Sequence, residues 1–290
     1  MLPLDVYLNV LVSGLLTGLI YGLSALGLSV IFGVMRIVNF AHGEMMVGGM
    51  YLTMLAVRML GLDPLVCLPF VSIVLFAFGY VLQRFVIVKI SHLPDHMQFL
   101  MMAAIATTLV ATYLMIFGPD NKAINLSYGY DSFAFGGFIV DKVRVYAGIA
   151  AVVTSGLLFL FFRYTSTGKA IRACGDNRVG ALVVGLNVRR LYALTFGIGA
   201  MCLGAAGAIM MLIIDVQPYL APQYTLLAFV IVIIGGLGSL PGAMLGGILI
   251  GASEAMAGIL IQPSLKTAFS FALLILVLVF RPQGLLGKRG

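Results

Sequence analysis

Residues 27–49 read GLSVIFGVMRIVNFAHGEMMVGG. An apolar run reaches Met35, a polar interval follows from Arg36 to Glu44, and a second apolar run begins. The interval sets a cation, an amide, an imidazole and a carboxylate between two segments with the composition of membrane helices. Of the 290 residues, 62% are hydrophobic and 9% charged, where soluble domains carry roughly 25% charged residues. A chain this apolar has lipid as its main solvent. Its 35 glycines fit that reading, because small residues let helices pack closely where lipid supplies no hydrophobic drive.

A span needs about 20 apolar residues. Candidates run over 8–34, 41–59, 65–88, 98–117, 144–162, 190–214, 224–239, 242–260 and 265–280. Runs such as LLFLFF and FALLILVLVF lack the alternation of barrel strands, so the expected fold is all-α, a polytopic bundle of about 8–9 spans, some broken or re-entrant. Residues 1–290 read as a single transmembrane domain. The first run carries Asp5 in place of a basic leader and is not read as a cleavable signal.

Two loops are long. Residues 118–143 are rich in Gly, Asn, Asp and Tyr, which suggests turns and a short hairpin. Residues 163–189 are the most charged part of the chain. Lys and Arg gather at that loop, at Arg36, Arg84 and Lys89, and at Arg281, Lys288 and Arg289. The bias predicts an outer N-terminus, an inner C-terminus, a periplasmic 118–143 loop and a cytoplasmic 163–189 loop. It also accounts for the net charge of +7 without nucleic acid. Cys67, Cys174 and Cys202 stand far apart with no CxxC, so no disulfide or metal framework is expected.

AFVIVIIGGLGSLPGAMLGGILIG, residues 228–251, repeats the plan of helix, break and helix. Paired interrupted segments point to a transport path at a repeat interface, with Gly235 and Gly236 at the second break; two ordinary tight turns are the alternative. At the first break, His42 and Glu44 are two residues apart and miss the i, i+4 spacing of a helical metal site. Two readings stand for Asn39, His42 and Glu44: path-lining groups on irregular backbone, tolerated at depth only inside protein or a wet cavity, or a turn at the membrane surface with Asn39 as N-cap. Glu254 lies roughly 18 Å into a span. It reads as a partner for a substrate ammonium or as a helix–helix hydrogen bond to Ser or Thr.

In GDNRVGALVVGLN, Asp176 or Asn177 caps a short helix. Val179, Leu182, Val183 and Leu186 then form one apolar stripe, with Asp176 and Arg178 beside it. Two to three turns are too few to stand alone, so the stripe needs a groove. STGKA at 166–170 lacks the rest of a P-loop, and no cofactor is expected on this chain.

The motifs GLIYGLSALGLSVIFGVMRIVNFAHGEM at 18–45, TGKAIRACGDNRVGALVVGLNV at 167–188, FVIVIIGGLGSLPGAMLGGILIG at 229–251 and FRPQGLLG at 280–287 are together specific. They resemble the branched-chain amino acid permeases of bacterial ABC importers, the LivH type, almost end to end. The resemblance implies a non-enzymatic inner-membrane subunit working by alternating access. Its partners would be a homologous second permease or a second copy of itself, two ATPase subunits that carry ATP and Mg, and a periplasmic binding protein. The segment around Ala181 and Gly185 would be the coupling helix. Of the E-A-A-x-x-x-G pattern found there in such permeases, Ala181 and Gly185 match, while Val179 replaces the acid. A permease for urea, amides or another small polar solute is the neighbouring alternative. An ion-coupled transporter using Glu44 or Glu254 is a further one, disfavoured by the large inner loop. A membrane enzyme would have only His42 and Glu44 to work with.

Overall fold

Backbone in lipid must satisfy its own hydrogen bonds, and uninterrupted apolar runs do so as helices. The computed structural model, described here for residues 3–126, 128–135, 138–260, 262 and 265–287, is a helical bundle. Its helices are α1 (Leu4–Met35), α2 (His42–Leu60), α3 (Pro64–Leu82) and α4 (Val88–Ile90), the last continuing α3 through a π turn at Gln83–Ile87. There follow α5 (Asp95–Phe117), α6 (Lys142–Tyr164), α7 (Ser166–Asp176), α8 (Arg178–Val183), α9 (Val188–Met210), α10 (Ala221–Gly235), α11 (Leu240–Leu260) and α12 (Lys266–Phe280). Among the described residues, seven helices are long and apolar enough to cross a membrane. Helix α2 adds a buried segment of 19 residues, and α12 a shorter apolar one of 15.

Glycine sets the closest packing. Gly14, Gly18 and Gly22 recur every four residues along α1 and face Gly247 and Gly251 of α11. A Cβ on Gly18 would lie 2.7 Å from the Gly247 carbonyl oxygen, so the two backbones touch with no side chain between them. The core centres on α1, α2 and α9, with Leu23, Leu26, Met46, Met50, Phe196 and Leu203 all removed from solvent.

The connections fall on two faces. One face carries the start of α1, the turn after α2, the 118–141 loop and the turn after α9. There the Asn9 Oδ1 accepts from the Ile139 N–H at 3.2 Å. Tyr128 donates to Asp63 at 2.6 Å, and burial, then that carboxylate, holds the Tyr128 hydroxyl above its usual range. Lys122 bridges Val216. The expected hairpin is present, β1 (Ser132–Phe135) pairing antiparallel with β2 (Phe138–Asp141). The other face carries the end of α1, α7 and α8, the turn after α10 and residues 281–287. Lys288 and Arg289 of the expected basic end lie outside the described residues.

Several expected boundaries move. Helix α9 stops at Met210, before the expected 214. Helix α10 begins at Ala221, after a 3-10 turn at Pro218–Leu220, and ends at Gly235. The apolar stretch around each helix reads the same in a turn as in a span, so composition alone misplaces these ends.

Candidate functional site

The break after α1 is deeper than a surface turn. Helix α1 ends at Arg36, which takes the left-handed conformation at φ 54° and gives its N–H to the Phe32 carbonyl. The chain then doubles back along the bundle, and α2 starts beside the middle of α1. His42 Nε2 donates to the Ser24 carbonyl at 3.2 Å. Ser24 sits about eleven residues above Met35, roughly 16 Å at 1.5 Å per residue. Phe40 wedges in at 4.3 Å from Phe99 of α5 and 5.1 Å from Phe229 of α10, centroid to centroid. Asn39 and His42 are 0% exposed and Glu44 4%, which removes the surface-turn reading. The proposed cap moves too. Ala41 is the N-cap, and Asn39 Oδ1 accepts from the Ala41 N–H at 3.0 Å, turning the irregular segment that leads into the helix.

Around this start the polar groups satisfy one another across helices. Thr225 of α10 accepts from the Gly43 N–H at 2.8 Å and donates to Glu44 Oε2 at 3.1 Å. Tyr113 of α5 donates to the Glu44 carbonyl at 2.9 Å. His42 Nδ1 has no hydrogen-bond partner among the described residues. His42 therefore faces α1, Glu44 faces α10, and the two do not share a site.

A second cluster surrounds Glu254 of α11. Ser270 of α12 donates to its Oε1 at 2.8 Å, and Tyr21 of α1 and Lys266 lie near enough to interact with it electrostatically. The helix–helix bond to a Ser, one of the two readings above, is present. Tyr224, next to Thr225 on α10, lies within the field of Glu254. The first turn of α10 therefore stands between the two acidic clusters. Sequence reasoning singled out neither Thr225, Ser24, Tyr113, Tyr21 nor Ser270, since hydroxyls are common in such helices and their partners are distant in sequence.

At the second break, Gly236 (φ 104°) and Gly238 (φ 79°) make the turn from α10 to α11. Leu285 and Leu286 donate to the carbonyls of Ile234 and Gly235 at 2.8 and 3.0 Å. The FRPQGLLG strip thus caps the end of α10, a role its sequence did not reveal. Gly33 packs on Gly238, so the two breaks meet at this face.

The expected single inner helix is two. Helix α7 ends and α8 begins at Asn177, whose Oδ1 accepts from the Gly180 N–H at 2.9 Å. Asn177, not Asp176, is the cap. Helix α8 is six residues long and stops before Gly185 (φ 81°), so the stripe is divided. Val179, Leu182, Val183 and Val184 are 69%, 55%, 81% and 74% exposed. Ala181 is buried inside the chain and Leu186, past the helix, packs on the core. Helix α7 is itself amphipathic, burying Gly168, Ile171 and Cys174. The Cys174 thiol is pushed above its usual range by burial, partly offset by Arg178.

A bundle with a re-entrant break, buried polar clusters at depth and an exposed apolar helix outside the spans defines a multi-pass membrane transport protein. The chain belongs to the family described as the permease component of the branched-chain amino acid transport system, which matches residues 10–278. It is a transport subunit and not an enzyme. It is 30% identical to the high-affinity branched-chain amino acid transport system permease protein BraD of Pseudomonas aeruginosa, over 97% of this chain and 96% of that one. The figures are the same for the permease protein LivH of Escherichia coli K12. The ribose import permease RbsC of Bacillus subtilis is 27% identical over 51% of this chain and 48% of its own. No solved structure matches the chain.

Proposed function

We propose that this chain is the permease through which an ABC importer of the inner membrane passes branched-chain or similar hydrophobic amino acids. A periplasmic binding protein delivers the solute, two ATPase subunits drive the cycle, and a homologous permease or a second copy completes the path. Substrate class rests on the family and on near full-length similarity to permeases named for branched-chain amino acids. The face bearing α7 and α8 is the cytoplasmic one. It carries Arg36, Arg84, Lys89, Arg163, Lys169, Arg172, Arg178, Arg189, Arg190 and Arg281, and cytoplasmic loops gather such charge.

The observation that carries the coupling assignment is the exposed apolar group Val179, Leu182, Val183 and Val184 on a six-residue helix. A chain without a P-loop takes its energy through a contact, and these side chains are the anchors a groove in an ATPase would hold. Asp176, Arg178, Ala181, Gly185 and Leu186 build and seat that helix. The clusters around Asn39, His42 and Glu44, and around Glu254, flank α10 and belong to the path, with Gly235 and Gly236 as its hinge. Buried polar groups at membrane depth are functional by default. Vesicles holding this chain with its ATPases and binding protein should take up labelled leucine in an ATP-dependent way. Equal uptake by the chain alone, along an ion gradient, would overturn the proposal.

A further inference from the structure

On the face that carries α7 and α8, a cleft of about 1520 Å³ opens between α1, α6, α7, the turn after α10 and the C-terminal strip. A lobe of about 510 Å³ continues from it past Gly33, Arg172 and Gly238. The cleft is cationic. Arg36, Arg163 and Arg172 line the main part and Lys169 the lobe, with Asp176, itself already engaged, as the one acid. The three ion pairs found among the described residues, Lys122 with Asp120, Lys142 with Asp131 and Arg144 with Asp141, all lie on the opposite face. The lobe also reaches Ser29, a buried residue whose hydroxyl has no partner among the described residues. Arg36 is the only non-glycine residue at positive φ among those described, and strained backbone of that kind gathers at ligand sites.

The walls are apolar. Phe159 and Leu160 of α6, Leu237 and Leu240 line the cleft. Above it, Ile149, Val152, Val153 and Leu157 are all exposed and fall with Leu160 on one side of α6. A cation cluster at the rim of the spans, open to an apolar stripe running into the bilayer, has the polarity of a phospholipid.

We propose that this cleft binds the phosphate headgroup of an anionic phospholipid, with the acyl chains lying on the exposed face of α6. Basic pockets between spans hold such headgroups by charge and by chain burial together. Free phosphate would use the arginines and leave the stripe bare.

The test uses the complete chain, purified in mild detergent and reconstituted in nanodiscs of phosphatidylcholine alone or mixed equally with phosphatidylglycerol. Co-purifying lipid is quantified by mass spectrometry, and thermal unfolding is followed in both discs. The wild type should retain phosphatidylglycerol or cardiolipin and unfold later in the mixed discs. Arg163→Gln with Arg172→Gln should cut retention about thirtyfold, while Arg84→Gln, on the same face outside the cleft, should not. Gly156→Phe gives a second route if the double variant misfolds. A Cβ there meets nothing within 4 Å, so the ring fills the cleft with every charge in place, and retention should fall. Unchanged retention in both variants overturns the proposal. So does equal stabilisation by inorganic phosphate.

Discussion

Leu182→Asp separates docking from folding at the proposed coupling contact. Leu182 is 55% exposed in the free chain. Fully burying a leucine is worth about 1.5–3 kcal/mol, so docking recovers roughly half of that. Leu182→Ala should weaken ATPase binding by about threefold to tenfold. Leu182→Asp loses the same term and strands a carboxylate in an apolar groove, which together should weaken binding at least about a hundredfold. The internal comparison is Ala181→Asp. Ala181 is buried within the chain, so a carboxylate there should lower folded yield before docking is tested at all. The assay is co-purification of the ATPase subunits from membranes, with solute uptake by vesicles in parallel. Leu182→Asp should yield a folded, inserted permease that has lost its ATPases or hydrolyses ATP without transport. Wild-type assembly and wild-type uptake in Leu182→Asp would remove α8 from the coupling contact.

Thr225→Val should lower stability by about 1–3 kcal/mol, because both the Gly43 N–H and the Glu44 carboxylate lose a partner. Thermal unfolding in detergent measures it, and Thr225→Ser should restore most of the loss. Glu254→Gln should keep an acceptor for Ser270 and so keep the fold, whereas Glu254→Ala should not; import by a stable Gln variant at the wild-type rate would leave Glu254 a structural role alone. Gly236→Ala should be nearly as damaging as Gly236→Leu in uptake and assembly. Its φ of 104° strains any side chain, and a Cβ would run into Gly287, so a benign Ala variant would contradict the turn described. Cys174 should resist maleimide in the folded chain near neutral pH, since burial raises its thiol and only thiolate reacts. Labelling should speed up as pH rises and become complete on denaturation; fast labelling of the native chain would place α7 away from the core.

What was legible in the sequence was local. Uninterrupted apolar runs marked the spans, GGLGSLPG marked a turn, and Asn177 followed by a short apolar stripe marked a capped helix. The depth of the first break was not legible. Nothing in RIVNFAHGE distinguishes a turn at the surface from an irregular segment returning about 16 Å into the bundle, because only the partners decide it. Those partners, Ser24, Thr225 and Tyr113, lie 18, 181 and 69 positions away from the residues they bind. Helix α7 and the early end of α8 were hidden for a different reason. Asn177 closes one helix and opens the next, and helical spacing continues through it unbroken. Leu186 then matches the stripe by period, but the positive φ of Gly185 turns it inward.

The packing gives a displacement of the inner helix pair little room to dissipate. Helix α8 is joined to α7 through Asn177 alone. At Gly175, α7 rests on the backbone of Gly33 and Val34, where a Cβ would lie 2.9 Å from the Gly33 carbonyl oxygen. Gly33 in turn meets Gly238, in the turn between α10 and α11. The nearest atoms in that series are backbone, with the Val34 side chain beside Gly175, and close-packed interiors transmit strain. Motion reaching Gly238 arrives at the end of α10, whose other end holds Thr225 against Glu44 and Tyr224 near Glu254. The helix spans only 15 residues, about 22 Å. A push on α8 therefore has a short route, across the proposed Gly235–Gly236 hinge, to the buried Glu44 and the half-buried Glu254, and uptake in the Leu182→Asp vesicles reads that route from its outer end.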